Sequence, residues 1–166
     1  EFELKSSGVK MGGGPKAFGV DAERVPALAR RLIEHGSRFV TVGTFGWDHH
    51  GELWKDMRKR APAFDRGLAS LIADLFDRGL DRRVLVVVTG EFGRTPVIST
   101  LPGSTPGRDH WGQAMSVILA GGGLRMGQVI GATNARGEPP IARPLTPADL
   151  LATIYHVVGI DHRTTF

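Results

Sequence analysis

Val84-Leu85-Val86-Val87-Val88-Thr89-Gly90-Glu91-Phe92-Gly93-Arg94 decides the fold class. Its first five residues are all apolar, and four of them are β-branched. A run that short, rich in Val and without helical period, reads as a strand. Because it does not alternate with polar residues, the run predicts a strand covered on both faces, as in a parallel sheet. The chain then passes directly into a glycine-bounded turn carrying Glu91 and Arg94.

Upstream, Leu53, Met57, Ala61, Phe64, Leu68, Leu71, Ile72 and Leu75 form one apolar stripe at helical spacing. Pro62 is expected to kink or restart that helix, and Gly79 to stop it. Before it, Phe39-Val40-Thr41-Val42-Gly43 reads as a short strand, followed by the loop Thr44-Phe45-Gly46-Trp47-Asp48-His49-His50-Gly51. A further helix is expected from Asp21, as cap, to about His35, with Gly36 ending it. Residues 1–19, with Gly12-Gly13-Gly14-Pro15, read as a flexible lead-in.

Downstream, residues 95–114 are rich in Pro, Gly and Ser. A third strand is expected at residues 115–119, ending in Gly121-Gly122-Gly123, and a hairpin arm at residues 128–133. Thr146-Pro147-Ala148-Asp149 has the form of a capping box with Pro at the first helical position, opening a helix to about Val158. Alternating elements with unbroken apolar strands predict an α/β fold, a mostly parallel sheet with helices on both faces. Three core strands are few for such a sheet, so neighbouring strands are expected from further chain or from another copy.

In open α/β sheets ligands bind beyond the carboxyl ends of the strands. Asp48 and His50 follow the first strand, Glu91 follows the second, and Asp109 and His110 lie in the loop returning to the third. Carboxylates and neutral imidazoles gathered there suit a divalent cation such as Zn, Mn, Mg or Ca, which offsets their mutual repulsion. Plainer roles stand beside this one. Glu91 can pair with Arg94 or accept backbone N–H groups, and Asp109 can orient His110 or cap a turn. His156, beside apolar residues on the last helix, reads as a packing histidine. Trp47 and Trp111 flank the two clusters, as packing, lid or stacking groups.

Other chemistries find little support. There is no cysteine, hence no disulfide, thiolate ligand or Cys nucleophile. Gly121-Gly122-Gly123 lacks the Lys-Ser/Thr of a phosphate-binding loop, and there is no Gly-x-Ser-x-Gly elbow. Ser99, Ser104 and Ser116 have no evident base. The chain of 166 residues is 41% hydrophobic and 23% charged, with a net charge of +4. The densest basic run, Lys55-Asp56-Met57-Arg58-Lys59-Arg60, reads as a solvated helix face, so no nucleic-acid partner is expected. No apolar run is long enough to span a membrane, so no membrane partner is expected. The opening Glu1-Phe2-Glu3-Leu4-Lys5 has none of the parts of an intact signal peptide. Neither feature separates a cytoplasmic protein from an exported one.

Five motifs stand in order: Gly46-Trp47-Asp48-His49-His50-Gly51, Thr89-Gly90-Glu91-Phe92-Gly93-Arg94-Thr95-Pro96, Gly107-Arg108-Asp109-His110-Trp111, Gly121-Gly122-Gly123 and Arg143-Pro144-Leu145-Thr146-Pro147-Ala148-Asp149-Leu150. Together they closely resemble the C-terminal portion of the bacterial family called domain of unknown function 1501. That family is grouped with the alkaline phosphatase and sulfatase superfamily. The resemblance implies that residues 20–166 are the C-terminal part of an alkaline-phosphatase-like α/β domain. It further implies a metal-dependent hydrolase acting on phosphate or sulfate esters.

By the same resemblance Asp48 and His50 look like the superfamily's ligand pair after a strand. Glu91 stands where a strand-ending Asp-His pair begins, with Phe92 in the second place. His110 resembles the late His ligand, with Asp109 beside it. Arg94 is implied as the holder of the substrate anion. The superfamily's nucleophile and first Asp ligand belong to an N-terminal half that has no counterpart in residues 1–20. The chain alone is therefore expected to be inactive. The alternative is a non-catalytic binding or scaffold protein that retains the fold.

Overall fold

The computed structural model describes residues 6–9, 24–100 and 104–164. The elements in order are β1 (Ser6–Val9), α1 (Arg24–Glu34), β2 (Phe39–Val42), α2 (Leu53–Asp77), β3 (Leu85–Val88), β4 (Gly93–Arg94), β5 (His110–Trp111), β6 (Ile118–Gly121), β7 (Ala132–Thr133), β8 (Pro140–Ala142) and α3 (Pro147–Val157). They pair as four two-stranded sheets. Among the described residues only β1 and β2 run parallel, with α1 between them in the chain. The pairs β3–β6, β4–β5 and β7–β8 are antiparallel.

The expected mostly parallel sheet, covered by helices on both faces, is thereby corrected. The deciding strand β3 pairs antiparallel with β6, Leu85 opposite Gly121 and Val88 opposite Ile118. A parallel partner needs a crossover that carries the chain back to the start of the strand, usually through a helix. Between β3 and β6 the described chain has only β4, β5 and irregular segments, so the returning strand meets β3 head to tail. The apolar run reflects burial and not direction. Val86 lines a small cleft with Ile72, Leu75, Phe76 and Ala120, joining β3 and β6 to the end of α2. The neighbouring Leu85 lies beside Gly122 and Val157 of α3.

α2 continues through Pro62 without a break over its 25 residues. Its end is tied to α1 by charge. Arg30, 9% exposed, pairs with Glu34 and with Asp74, and Arg78 reaches Asp74 at 2.6 Å and Glu34 at 3.5 Å. The capping box forms as read: Thr146 Oγ1 accepts from the Asp149 N–H at 3.3 Å, and the Asp149 carboxylate accepts from the Thr146 N–H at 2.7 Å. Asp149 is held below the usual carboxylate range by those Thr146 contacts. The triple glycine turns out of β6 with φ of 80°, 62° and 72°, a left-handed path open to glycine and costly for other residues. The Gly122 N–H donates to the Val84 carbonyl at 2.8 Å, so this motif is a bend that locks β6 to the start of β3.

Other expectations shift at their edges. Ser6–Val9, inside the segment read as a flexible lead-in, forms β1. The expected cap Asp21 lies outside the described residues. The third strand starts later than expected, at Ile118, and the hairpin arm is β7 with β8. His156 is exposed, and no residue of α3 is fully buried, so it does not pack as expected. Leu75 and Ala120 are the buried apolar side chains among the described residues. No helix among them is long and apolar enough to cross a membrane.

Candidate metal centre

The loop 46–52 enters α2 at Glu52, whose φ of 52° is left-handed. The Glu52 side chain does not cap the helix. Its first N–H groups are satisfied from the segment 104–107 instead: Glu52 N–H donates to Thr105 Oγ1 at 2.6 Å, and Leu53 N–H to the Pro106 carbonyl at 3.1 Å. The next residues continue the clamp. Gly107 is buried so tightly that a Cβ there would lie 2.1 Å from the His50 carbonyl carbon and 2.6 Å from Gly51 N. Arg108 N–H donates to the His49 carbonyl at 2.9 Å. The third motif thus lies directly on the first.

The second motif joins through backbone pairing. β4 and β5 set Arg94 opposite His110. Thr95 N–H donates to the Asp109 carbonyl at 2.9 Å, and Thr95 Oγ1 accepts from the Asp109 N–H at 3.1 Å. Ser99 and Gly107 exchange a further pair of hydrogen bonds at 3.0 and 2.9 Å. Three segments far apart in the chain are thereby fixed to one another by main-chain contacts.

Their side chains converge on one point. Asp48 Oδ1 lies 3.0 Å from His50 Nε2 and 3.1 Å from His110 Nε2. The two Nε2 atoms are 3.3 Å apart. Donors about 2.0–2.2 Å from a divalent ion stand about 2.8–3.6 Å from each other across octahedral to tetrahedral angles, so this triangle fits such an ion. Asp48, His50 and His110 form a cluster that could hold a metal. Their side chains are 56%, 42% and 51% exposed, so solvent and small molecules reach the donors.

Asp109 has another place. Its Oδ1 is 2.9 Å from His50 Nδ1, and its Oδ2 accepts from Ser99 Oγ at 2.9 Å. The His50 and Ser99 contacts hold the Asp109 carboxyl below its usual range. An ionised carboxylate only accepts, so His50 carries a proton on Nδ1, and Nε2 is the nitrogen that faces Asp48 Oδ1 and would be free to ligate a cation there. His50 itself is raised above the usual imidazole value, first by that bond to Asp109.

A family model described as protein of unknown function (DUF1501) matches residues 7–166. The chain belongs to the DUF1501 family. No curated protein and no solved structure matches it.

In this DUF1501 chain Glu91 stands outside the donor triangle and pairs with Arg94 Nη2 at 3.0 Å. Arg94 Nη1 donates to Asp48 Oδ1; the His110 contact first, and then Arg94, hold the Asp48 carboxyl below its usual range. The Arg94 guanidinium carbon is 5.4 Å from the centre of the Phe92 ring, and Phe92 lies 4.5 Å from His110, centre to centre. Trp47 packs edge-on against Phe64 of α2 at 5.5 Å, which anchors the loop bearing Asp48. Trp111 Nε1 donates to the Glu138 carbonyl at 3.3 Å. Ser99, without an evident partner in the sequence, meets Asp109 ten residues away through the Ser99–Gly107 bridge.

Proposed function

We propose that the DUF1501 chain carries a divalent-metal centre of the alkaline phosphatase and sulfatase type, with Asp48, His50 and His110 as ligands and a phosphate or sulfate ester as the anion it meets. The observation that supports this most is the donor triangle with sides of 3.0, 3.1 and 3.3 Å. Structural zinc sites are closed by four protein ligands, whereas three protein donors and an exposed face leave room for an exchangeable group. A cation there would supply Lewis acidity towards an ester oxygen. Asp109 would orient His50, and Arg94 would meet the anion. The nucleophile and the strands beside β3 would come from further chain or from a second copy.

A second reading is a binding or scaffold protein that retains the metal and performs no reaction. What favours it is that the hydroxyls bonded to Asp109 are committed, Ser99 Oγ to the Asp109 carboxylate and Thr95 Oγ1 to the Asp109 N–H and the Val97 carbonyl. Elemental analysis of the purified protein, followed by assays with aryl phosphates and aryl sulfates, separates the two. A stoichiometric divalent metal with turnover supports the hydrolase. Metal without turnover in the longest available form of the protein supports the scaffold. Absence of metal after incubation with Zn, Mn, Mg and Ca salts removes both.

A further inference from the structure

Arg94 touches the same oxygen that a metal would need. Its Nη1 donates to Asp48 Oδ1, the atom that also forms two sides of the donor triangle. Its other arm holds Glu91 at 3.0 Å, and its planar face lies 5.4 Å from the Phe92 ring centre. The side chain is 22% exposed, the least of the charged groups around the centre. It therefore occupies a built position, fixed from three sides and pointing one N–H group into the cluster.

We infer that Arg94 is an exchangeable counter-ion: it neutralises Asp48 in the metal-free protein, yields that carboxylate to a divalent cation, and then offers the released N–H groups to an oxyanion beside the cation. The inference rests on the reading of Asp48, His50 and His110 as a metal centre and adds a coupling between two ligands. Charge accounts for the exchange. A carboxylate oxygen cannot be shared at full strength by a guanidinium and a dication, and the two cations repel at this range. Glu91 keeps the displaced guanidinium nearby. A tetrahedral oxyanion offsets the repulsion and matches the planar N–H fork, which a lysine does not reproduce. Metal and anion then each tighten the binding of the other by one common factor.

The test uses ZnCl2 and sulfate as probes. Zinc affinity is measured by calorimetry for the wild type, Arg94→Met and Arg94→Lys, in sodium chloride and in sodium sulfate at equal ionic strength. The wild type is expected to bind zinc about tenfold more tightly in sulfate, a coupling of ordinary size. Arg94→Met is expected to bind zinc more tightly than the wild type in chloride and to lose the gain from sulfate. Arg94→Lys is expected to lose most of that gain while retaining affinity in chloride. Thermal unfolding establishes that the variants are folded, and the wild-type comparison stands without them if they are not. Zinc binding that is equal in chloride and sulfate, or equal in wild type and Arg94→Met, overturns the exchange and leaves the metal centre intact. No zinc binding to the wild type overturns both.

Discussion

Asp109 Oδ1 lies 2.9 Å from His50 Nδ1, and this contact decides which nitrogen of His50 faces the centre. With Nδ1 engaged by Asp109, Nε2 is the nitrogen that faces the region bounded by Asp48 Oδ1 and His110 Nε2. Ser99 Oγ, at 2.9 Å from the second carboxylate oxygen, keeps Asp109 from rotating away.

Removing this support weakens the metal without removing a ligand. Asp109→Ala is expected to reduce zinc affinity by about 10–100-fold, the usual scale for groups that orient a ligating histidine. Ser99→Ala is expected to follow in the same direction with a smaller loss. Calorimetric zinc titration gives the affinities, and the ring 15N shifts of His50 report its tautomer. Unchanged affinity together with an unchanged tautomer in Asp109→Ala would show that the carboxylate has no such role.

Gly107 sets how closely the two ligand-bearing loops approach. A methyl group there would meet the His50 carbonyl oxygen at 2.2 Å, so Gly107→Ala must push the loops apart. The expected cost is about 1–3 kcal/mol of stability, as for overpacking in general. Loss of zinc binding is expected with it, since His110 follows Gly107 by three residues on the displaced segment. Denaturant unfolding and zinc titration of the variant check both effects.

The joint between α1 and α2 carries a pH dependence of defined sign. Asp74 is held below its usual value of 3.8, first by its hydrogen bond from Arg78 and also by Arg30. A carboxyl whose folded pKa is depressed adds stability that is present above the unfolded value and lost as pH falls through the folded value. Asp74→Asn is therefore expected to unfold at a lower temperature than the wild type at pH 5–7. The difference is expected to shrink below about pH 4 and to vanish once the wild-type carboxyl is protonated. A difference independent of pH would assign the effect of Asp74 to packing.

Residue pattern alone exposes some of this molecule and hides the rest for identifiable reasons. The α2 stripe and the Thr146–Asp149 box were legible because helical period and capping are local properties. The direction of β3 was not. A Val-rich run reports that a strand is covered and is silent on the sense of its partner. The clue lay elsewhere, in the lack of a helical pattern between Val88 and Ile118. At the site, Asp48, His50, Glu91, Asp109 and His110 were all visible as candidate donors at strand ends. Their separate roles are not visible there, because these depend on which ring nitrogen meets which oxygen. Three of the five now form one triangle, Asp109 lies behind His50, and Glu91 pairs with Arg94. Gly107 and Ser99 had no visible role in the sequence, since their contacts cross from one loop to another.

A zinc titration of the wild type beside His50→Ala, His110→Ala and His156→Ala tests the central claim most directly. His156 is exposed on α3 and serves as the control for a surface histidine. The account predicts stoichiometric zinc binding by the wild type and by His156→Ala, with a loss of at least about 100-fold in His50→Ala and in His110→Ala, each of which removes a first ligand. Zinc binding that survives in both His50→Ala and His110→Ala, or that fails in the wild type, would contradict it.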